Sequence, residues 1–319
     1  MTTSLTFITQ NPAMRAIIES LDRVIPTDSS ILITGETGVG KELIAEYIHR
    51  SSPRALQPFV KISLTALPQD LLESELFGHE RGAYTSANSE RRGLFELAHT
   101  GTLFLDDIDD FPFHLQSKLL RALESREIMR IGGHKSISVD VRIVSASKVD
   151  LKTLVEKNLF RADLFYRLNV VPVLVPPLRD RTDDLPLLIA HFLKKYSPEK
   201  EIPIEADALA ALSHYRWPGN IRELRNVVQR IALNGHSAVT VDRLPIEIRN
   251  DHPITSVIQA CQRCLIEKNM SFEQITVCLE MNLLQQALQQ TNGNRTTAAK
   301  QLGLSLSTFR DKLRKYGIE

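Results

Sequence analysis

Ile31-Leu32-Ile33-Thr34-Gly35-Glu36-Thr37-Gly38-Val39-Gly40-Lys41 is a short apolar run that enters a glycine-rich turn, and Glu42-Leu43-Ile44-Ala45-Glu46-Tyr47-Ile48 after it has helical spacing. Strand, loop and helix in that order read as a phosphate-binding loop. Gly35, Gly38 and Gly40 let the backbone turn tightly and aim its N–H groups at phosphate oxygens. The helix N-terminus adds the positive end of its dipole, and Lys41 adds a mobile cation. Glu36, Thr37 and Val39 complete the cradle. The G-x-x-x-x-G-K pattern is full as far as the lysine, but Glu42 stands where the general pattern has a Ser or Thr hydroxyl for magnesium.

A carboxylate is the next requirement of such a site, and Gly101-Thr102-Leu103-Phe104-Leu105-Asp106-Asp107 supplies two at the end of a buried-type strand. Ligand sites in open parallel sheets lie at the carboxyl ends of strands. Asp106 is placed to hold Mg²⁺ through water, and Asp107 to orient or deprotonate an attacking water. Strands expected at 58–63, 138–146 and 170–175 alternate with helices at 13–24, 69–77 and 115–127, which gives a parallel three-layer α/β domain. Residues 78–87 read as a loop interrupting a helix. Past Pro177 the strands stop, and helices at 183–196, 206–212 and 221–233 form a helical lid. The chain ends in helices at 282–290, 296–302 and 307–316, the last two joined by a turn of helix-turn-helix length. The expected organisation is therefore 1–178 nucleotide-binding α/β subdomain, 179–249 helical lid, 250–275 linker and 276–319 all-α helix-turn-helix domain.

With 319 residues of near-average composition the chain has room for two or three cores. No apolar run approaches the roughly 20 residues that cross a bilayer, and Met1-Thr2-Thr3-Ser4 lacks the start of a secretory signal, so a cytoplasmic location is expected. Residues 1–29 hold one helix, opened by Asn11-Pro12, and no regulatory domain is expected before the loop. Cys261, Cys264 and Cys278 lack a second ligand pair at zinc spacing and read as reduced thiols. The net charge of +1 hides a basic end: from Thr291 onward six Lys and Arg face two acids.

Several segments in order resemble the bacterial enhancer-binding proteins, the AAA+ ATPases that activate sigma-54 RNA polymerase, over nearly the whole chain. They are GETGVGKE at 35–42, ESELFGHERGAYTSA at 73–87, GTLFLDDI at 101–108, FRADLFYRL at 160–168, VPPLRDR at 175–181 and WPGNIREL at 217–224. Glu42 is what that family carries after the lysine. The end of the chain, GNRTTAAKQLGLSLSTFRDKLRKYGI, is similar to Fis-type DNA-binding modules. The resemblance implies that Arg161 and Arg167 are arginine fingers for a neighbouring subunit's nucleotide and that Arg222 is a lid sensor for its own. It implies that Gly82, Ala83, Tyr84, Thr85, Ser86 and Ala87 form the sigma-contact loop, with Ser86 in place of a glycine. Two further departures bear on hydrolysis: Asp107 replaces the usual Glu, with Ser63 where its Asn partner falls, and Ser147-Lys148 replaces a Thr-Asn pair.

The implied function is an ATP- and Mg²⁺-dependent activator that assembles as a homo-oligomer, a hexameric ring by resemblance, and remodels sigma-54 holoenzyme. Control would come from a trans-acting regulatory protein or from expression level. Asp107, Lys148 and Ser86 leave open a second reading, a sigma-54-independent DNA-binding regulator whose AAA+ domain is a slow or inactive nucleotide-controlled oligomerisation switch. In either case the tail is expected to bind duplex DNA as a dimer on inverted half-sites roughly 34 Å apart. Thr308, Arg310, Asp311 and Arg314 share the second helix of the helix-turn-helix, while Arg295, Thr296, Thr297 and Lys312 are placed for phosphates.

Overall fold

The computed structural model describes residues 7–83, 89–200, 202–234, 238–249, 271–291 and 293–318. They fall into two units, 1–245 and 246–319. In the first, α1 (Pro12–Val24) starts where Asn11 Oδ1 accepts from the Ala13 and Met14 amides. Then follow β1 (Ile31–Thr34), α2 (Lys41–Arg50), β2 (Phe59–Ser63) and α3 (Gln69–Phe77). β3 (Gly78–His79) pairs antiparallel with β4 (Arg91–Arg92), ahead of α4 (Leu94–Leu97), β5 (Thr102–Asp106) and α5 (Phe113–Ser125). The antiparallel hairpin β6 (Glu127–Met129) and β7 (Ser136–Ser138) precedes β8 (Arg142–Ser147), α6 (Leu151–Glu156), α7 (Ala162–Leu168) and β9 (Val171–Leu174).

Five strands form one parallel sheet in the order β2-β5-β8-β1-β9. The side chains alternate across it: Leu103, Leu105 and Ile143 join one core with α3, α5 and α7, while Phe104, Val144, Ile31 and Ile33 join another with α1 and α2. Pro172 is tolerated because β9 is an edge strand.

Two expectations need correction. The single strand read at 138–146 is two: Ser136–Ser138 belongs to the hairpin and Arg142–Ser147 to the sheet. The chain turns between them because the Val139 amide donates to Arg126 O, and Asp140 O accepts from Thr100 N. The stretch read as a loop within a helix opens as a strand, because Gly78, at φ 78°, turns the chain out of α3 and into register with Arg92.

The lid consists of α8 (Leu185–Tyr196), α9 (Ala206–His214) and α10 (Asn220–Leu233). Its centre is Trp217, fully buried, whose indole N–H donates to Leu212 O at 2.8 Å while Tyr215 packs edge-on against the ring. Trp217 and Asn220 both have positive φ, 51° and 52°, which bends the chain sharply into α10.

In the second unit the helices Phe272–Gln290, Arg295–Gln301 and Leu306–Lys315 surround Leu284, Ala287, Ala298, Ala299, Phe309 and Leu313. Asn294 and Ser305 cap the latter two helices. The first helix begins ten residues before the expected Asn282, at Phe272, where Ser271 and Gln274 form a capping box. Cys278 is exposed on it; Cys261, Cys264 and residues 250–270 of the expected 250–275 linker lie outside the described residues, while the last residues of that linker cap and open this helix.

Trp217→Ala is expected to lower unfolding stability by about 3–5 kcal/mol, the usual cost of emptying a buried aromatic site. Urea denaturation reads this directly, and a loss of about 1 kcal/mol or less would remove Trp217 from the centre of the lid.

Candidate functional site

The loop after β1 closes only because it carries glycines. Gly38 and Gly40 have φ of 82° and 104°, and a Cβ on Gly38 would lie 2.4 Å from Gly219 O. Lys41 opens α2 and is 8 % exposed, its ammonium donating to Gly35 O at 2.7 Å and Glu36 O at 3.2 Å. Burial pushes its pKa down, against the fields of Asp106, Asp107 and Asp109, which push it up. A buried cation whose hydrogen bonds, among the described residues, go only to loop carbonyls fits an anionic ligand at this loop. Glu42 turns away to Lys61, 2.7 Å from its ammonium.

Asp106 ends β5 opposite Ser63 of β2. Burial, and then the neighbouring Asp107, raise its pKa, so a cation beside it would be favoured. Among the described residues no three His, Cys, Asp or Glu cluster to hold a metal by themselves. A hard cation such as Mg²⁺, which keeps waters and takes substrate oxygens, fits this single carboxylate. Asp107, at φ 57°, accepts from Thr65 Oγ1 at 3.1 Å and Ser63 Oγ at 3.4 Å. Thr65, outside every motif, is thus the nearer partner of the shorter acid. On the other side of β5, Ser147 O accepts from Gly35 N, and Asp109 accepts from Ser147 Oγ at 3.1 Å and Lys148 N at 3.2 Å.

The lid reaches the loop through one buried side-chain amide and several arginines. Asn220, fully buried, accepts from Leu178 N at 2.8 Å and donates to Thr37 O and Glu36 Oε2, each at 3.1 Å. Arg179 forks onto Glu36, holding its carboxyl below the usual range. The Arg222 amide donates to Gly38 O, and Arg181 Nη2 donates to Val39 O. Asp184, buried beside the lid, accepts from Thr9 Oγ1 and from the Gln10 and Asn11 amides. Arg179, Arg181 and Asn220 fall within motifs quoted from the sequence, yet only the fold assigns them these partners.

Arg161 and Arg167 stand apart from the loop. Arg161 forks onto Asp163 at 3.1 and 2.7 Å. Arg167 donates to Leu123 O and borders a small cavity with Asp28 and Ser30, which precede β1 where the P-loop follows it. Between them Tyr166 is 73 % exposed.

Of the expected sigma-contact loop, Gly82 and Ala83 are described, and Tyr84, Thr85, Ser86 and Ala87 lie outside the described residues. Their base is built. Glu80 N donates to Ile131 O and Ile131 N to Gly78 O, tying β3 to the end of the β6–β7 hairpin. Arg130 forks onto Glu96, both contacts 2.9 Å, and reaches Glu80 at 3.2 Å and Glu90 at 3.6 Å, one acid on each side of the loop. In the helix-turn-helix, Arg295, Thr296, Thr297, Thr308, Arg310, Asp311 and Arg314 are exposed. Lys312 differs, because its ammonium is held 2.9 Å from Glu280, which also accepts from Tyr316.

Comparison with known proteins gives three family matches: the sigma-54 interaction domain at residues 7–174, the AAA+ ATPase lid domain at 179–260 and the bacterial regulatory protein, Fis family, at 279–316. The regulatory protein AtoC of Escherichia coli K12 is 46% identical over 316 residues, covering 98% of this chain and 68% of AtoC. The transcriptional regulatory protein FlbD of Caulobacter vibrioides is 43% identical over 318 residues, 97% of this chain and 70% of FlbD. The crystal structure of NtrX from Brucella abortus in complex with ATP is similar at a TM-score of 0.73 and 35% identity, over 98% of this chain and 70% of NtrX.

Arg130→Met is expected to speed hydrogen exchange at the Glu80 and Ile131 amides at least tenfold, roughly, by local opening, leaving Leu32 and Val144 unchanged. Unchanged exchange at Glu80 and Ile131 would mean that the backbone ladder holds the loop base without the arginine.

Proposed function

We infer the function from one premise: the chain belongs to the sigma-54-dependent transcriptional activators, which join an ATP-binding AAA+ domain to a Fis-type DNA-binding helix-turn-helix. The alternative of a sigma-54-independent regulator is not favoured, because the match to the sigma-54 interaction domain runs through residues 7–174. Its working cycle is the proposal. ATP binds at the P-loop, a reading supported by the ATP complex of NtrX and carried by one observation, the buried Lys41 ammonium whose hydrogen bonds among the described residues go only to the Gly35 and Glu36 carbonyls.

Within one subunit Lys41 neutralises phosphate charge, the Gly35–Gly40 amides cradle it, and Arg222 brings the lid onto it. Asp106 would hold Mg²⁺ through water, and the ion when bound offsets charge on the phosphate oxygens. Asp107, positioned by Thr65 and Ser63, orients the attacking water; its short reach makes turnover slow. Arg161 and Arg167 act in trans, on the nucleotide of the next subunit. Their place supports this, since Arg167 sits beside residues that enter β1 and not those that leave it. A homo-oligomeric ring, hexameric in this proposal, follows from that division of labour. Nucleotide-dependent movement of residues 82–87, through the base at Arg130, transmits work to sigma-54 holoenzyme. The four domain segments 1–178, 179–249, 250–275 and 276–319 carry these tasks in the cytoplasm, the last as a DNA-bound dimer, and a trans-acting protein regulates them.

Two variants test the site and the ring together. Lys41→Ala is expected to abolish Mg-ATP binding by calorimetry, and Arg161→Ala to bind ATP without hydrolysing it. Mixed, they should regain phosphate release, because an Arg161→Ala subunit then has an intact loop facing a Lys41→Ala subunit with intact fingers. Undiminished ATP affinity in Lys41→Ala contradicts the site, and no recovery on mixing contradicts action in trans.

A further inference from the structure

A cavity of about 500 Å³ opens between the end of α3, the later turns of α5 and the β6–β7 hairpin, and no residue of the P-loop or of the lid lines it. That volume belongs to small-molecule sites, whereas the voids left by imperfect packing in a close-packed interior are few and small. Phe77, Ala122 and Ile128, all buried, form its apolar wall, with Met129 exposed beside them. Phe77 is kept in place by stacking on Phe95, the ring centroids 5.5 Å apart.

The charged groups of the wall are unequally occupied. Lys118 and Arg121, one turn apart on α5, both line it, and Glu127 is the acid among them. The Lys118 ammonium pairs with Glu73 at 2.9 Å and lies 4.6 Å from the centre of the Phe77 ring. Glu127 is engaged as well, since it accepts from Ser136 Oγ at 2.7 Å. Among the described residues Arg121 has no acid in ion-pair contact. Beside an apolar surface, then, stands a guanidinium with donors to spare, and the Ser117 hydroxyl lines the same space. A carboxylate is the group that such a planar fork takes through two parallel bonds.

We propose that this cavity is the binding site of a small organic monoanion, a carboxylate on a flat aromatic body. Arg121 holds the carboxylate, and Phe77, Ile128 and Met129 hold the body, since ring on ring and thioether on ring are favourable contacts. Phe77 is followed by Gly78 of β3 and Met129 by Arg130, so both walls run directly into the base of the 82–87 loop. A ligand that bridges α3 and the hairpin therefore favours the arrangement in which Glu80 N donates to Ile131 O and Ile131 N to Gly78 O. Its differential affinity for that arrangement makes the loop base responsive to a metabolite-sized anion as well as to nucleotide.

Calorimetric titration of the full chain with naphthoate, naphthalenemethanol and naphthylmethylammonium keeps the ring and varies the charge. The parent should bind naphthoate at least about tenfold tighter than either of the others, the contribution of one charge-assisted pair. Arg121→Gln should bring naphthoate down to the level of the alcohol, and Ser117→Trp, which fills the cavity from an exposed position, should weaken naphthoate about tenfold or more. Urea unfolding like the parent's reports that each variant is folded. Naphthoate should also slow hydrogen exchange at the Glu80 and Ile131 amides about threefold or more in the parent and leave it unchanged in Arg121→Gln. Equal binding of the three probes, no binding of naphthoate, or full naphthoate affinity in Arg121→Gln overturns the anion site. Exchange at Glu80 and Ile131 that ignores bound naphthoate overturns its link to the loop base.

Discussion

The P-loop and the lid meet backbone to backbone. A β-carbon at position 38 would stand 2.4 Å from Gly219 O, so no other residue fits there without moving the lid. Much follows from that contact. Asn220, the next residue along, can then place its one amide against Thr37, Glu36 and Leu178, and Arg222 can bring its backbone to Gly38. The positive φ at Trp217 and Asn220 is the strain that the turn into α10 carries, held by a fully buried indole. The phosphate loop thus reports directly to a helical lid, and Asp184 extends the connection to residues 9–11.

The cations of the site divide by position. Lys41 and Arg222 lie with their own loop, while Arg161 and Arg167 do not. The bidentate pair of Arg161 with Asp163 is half-exposed and inexpensive to open, in keeping with an arginine that exchanges partners. Arg130 is the opposite case, a nearly buried fork whose three acids fix the base of the loop from both sides.

Local signals made much of this legible. Helix α3 is readable to the residue, and α1 is announced by Asn11-Pro12, because capping and spacing act over a few positions. The end of the hairpin at Ser138 was not, because Ser136 to Ile143 alternates polar and apolar residues straight through the corner at 139–141, with no glycine or proline there to mark the break. Glu42 could be placed after the lysine, but its pairing with Lys61 needs the fold. Thr65 is invisible to a motif search, since its role depends on Asp107 being short and left-handed. Asp184 accepts from residues 173 to 175 positions away, a distance no periodicity spans. Lys312 looks like a phosphate contact in a basic helix until the preceding helix brings Glu280 against it.

The proposed cycle requires nucleotide energy to reach sigma-54 polymerase through Thr85. The most direct measurement is open-complex formation in vitro, on a promoter carrying this protein's upstream DNA site, with sigma-54 holoenzyme and hydrolysable ATP. The parent chain should open the promoter, and Thr85→Ala, while still binding ATP and DNA, should not. Opening by Thr85→Ala equal to the parent, or opening confined to the housekeeping holoenzyme, would contradict the account.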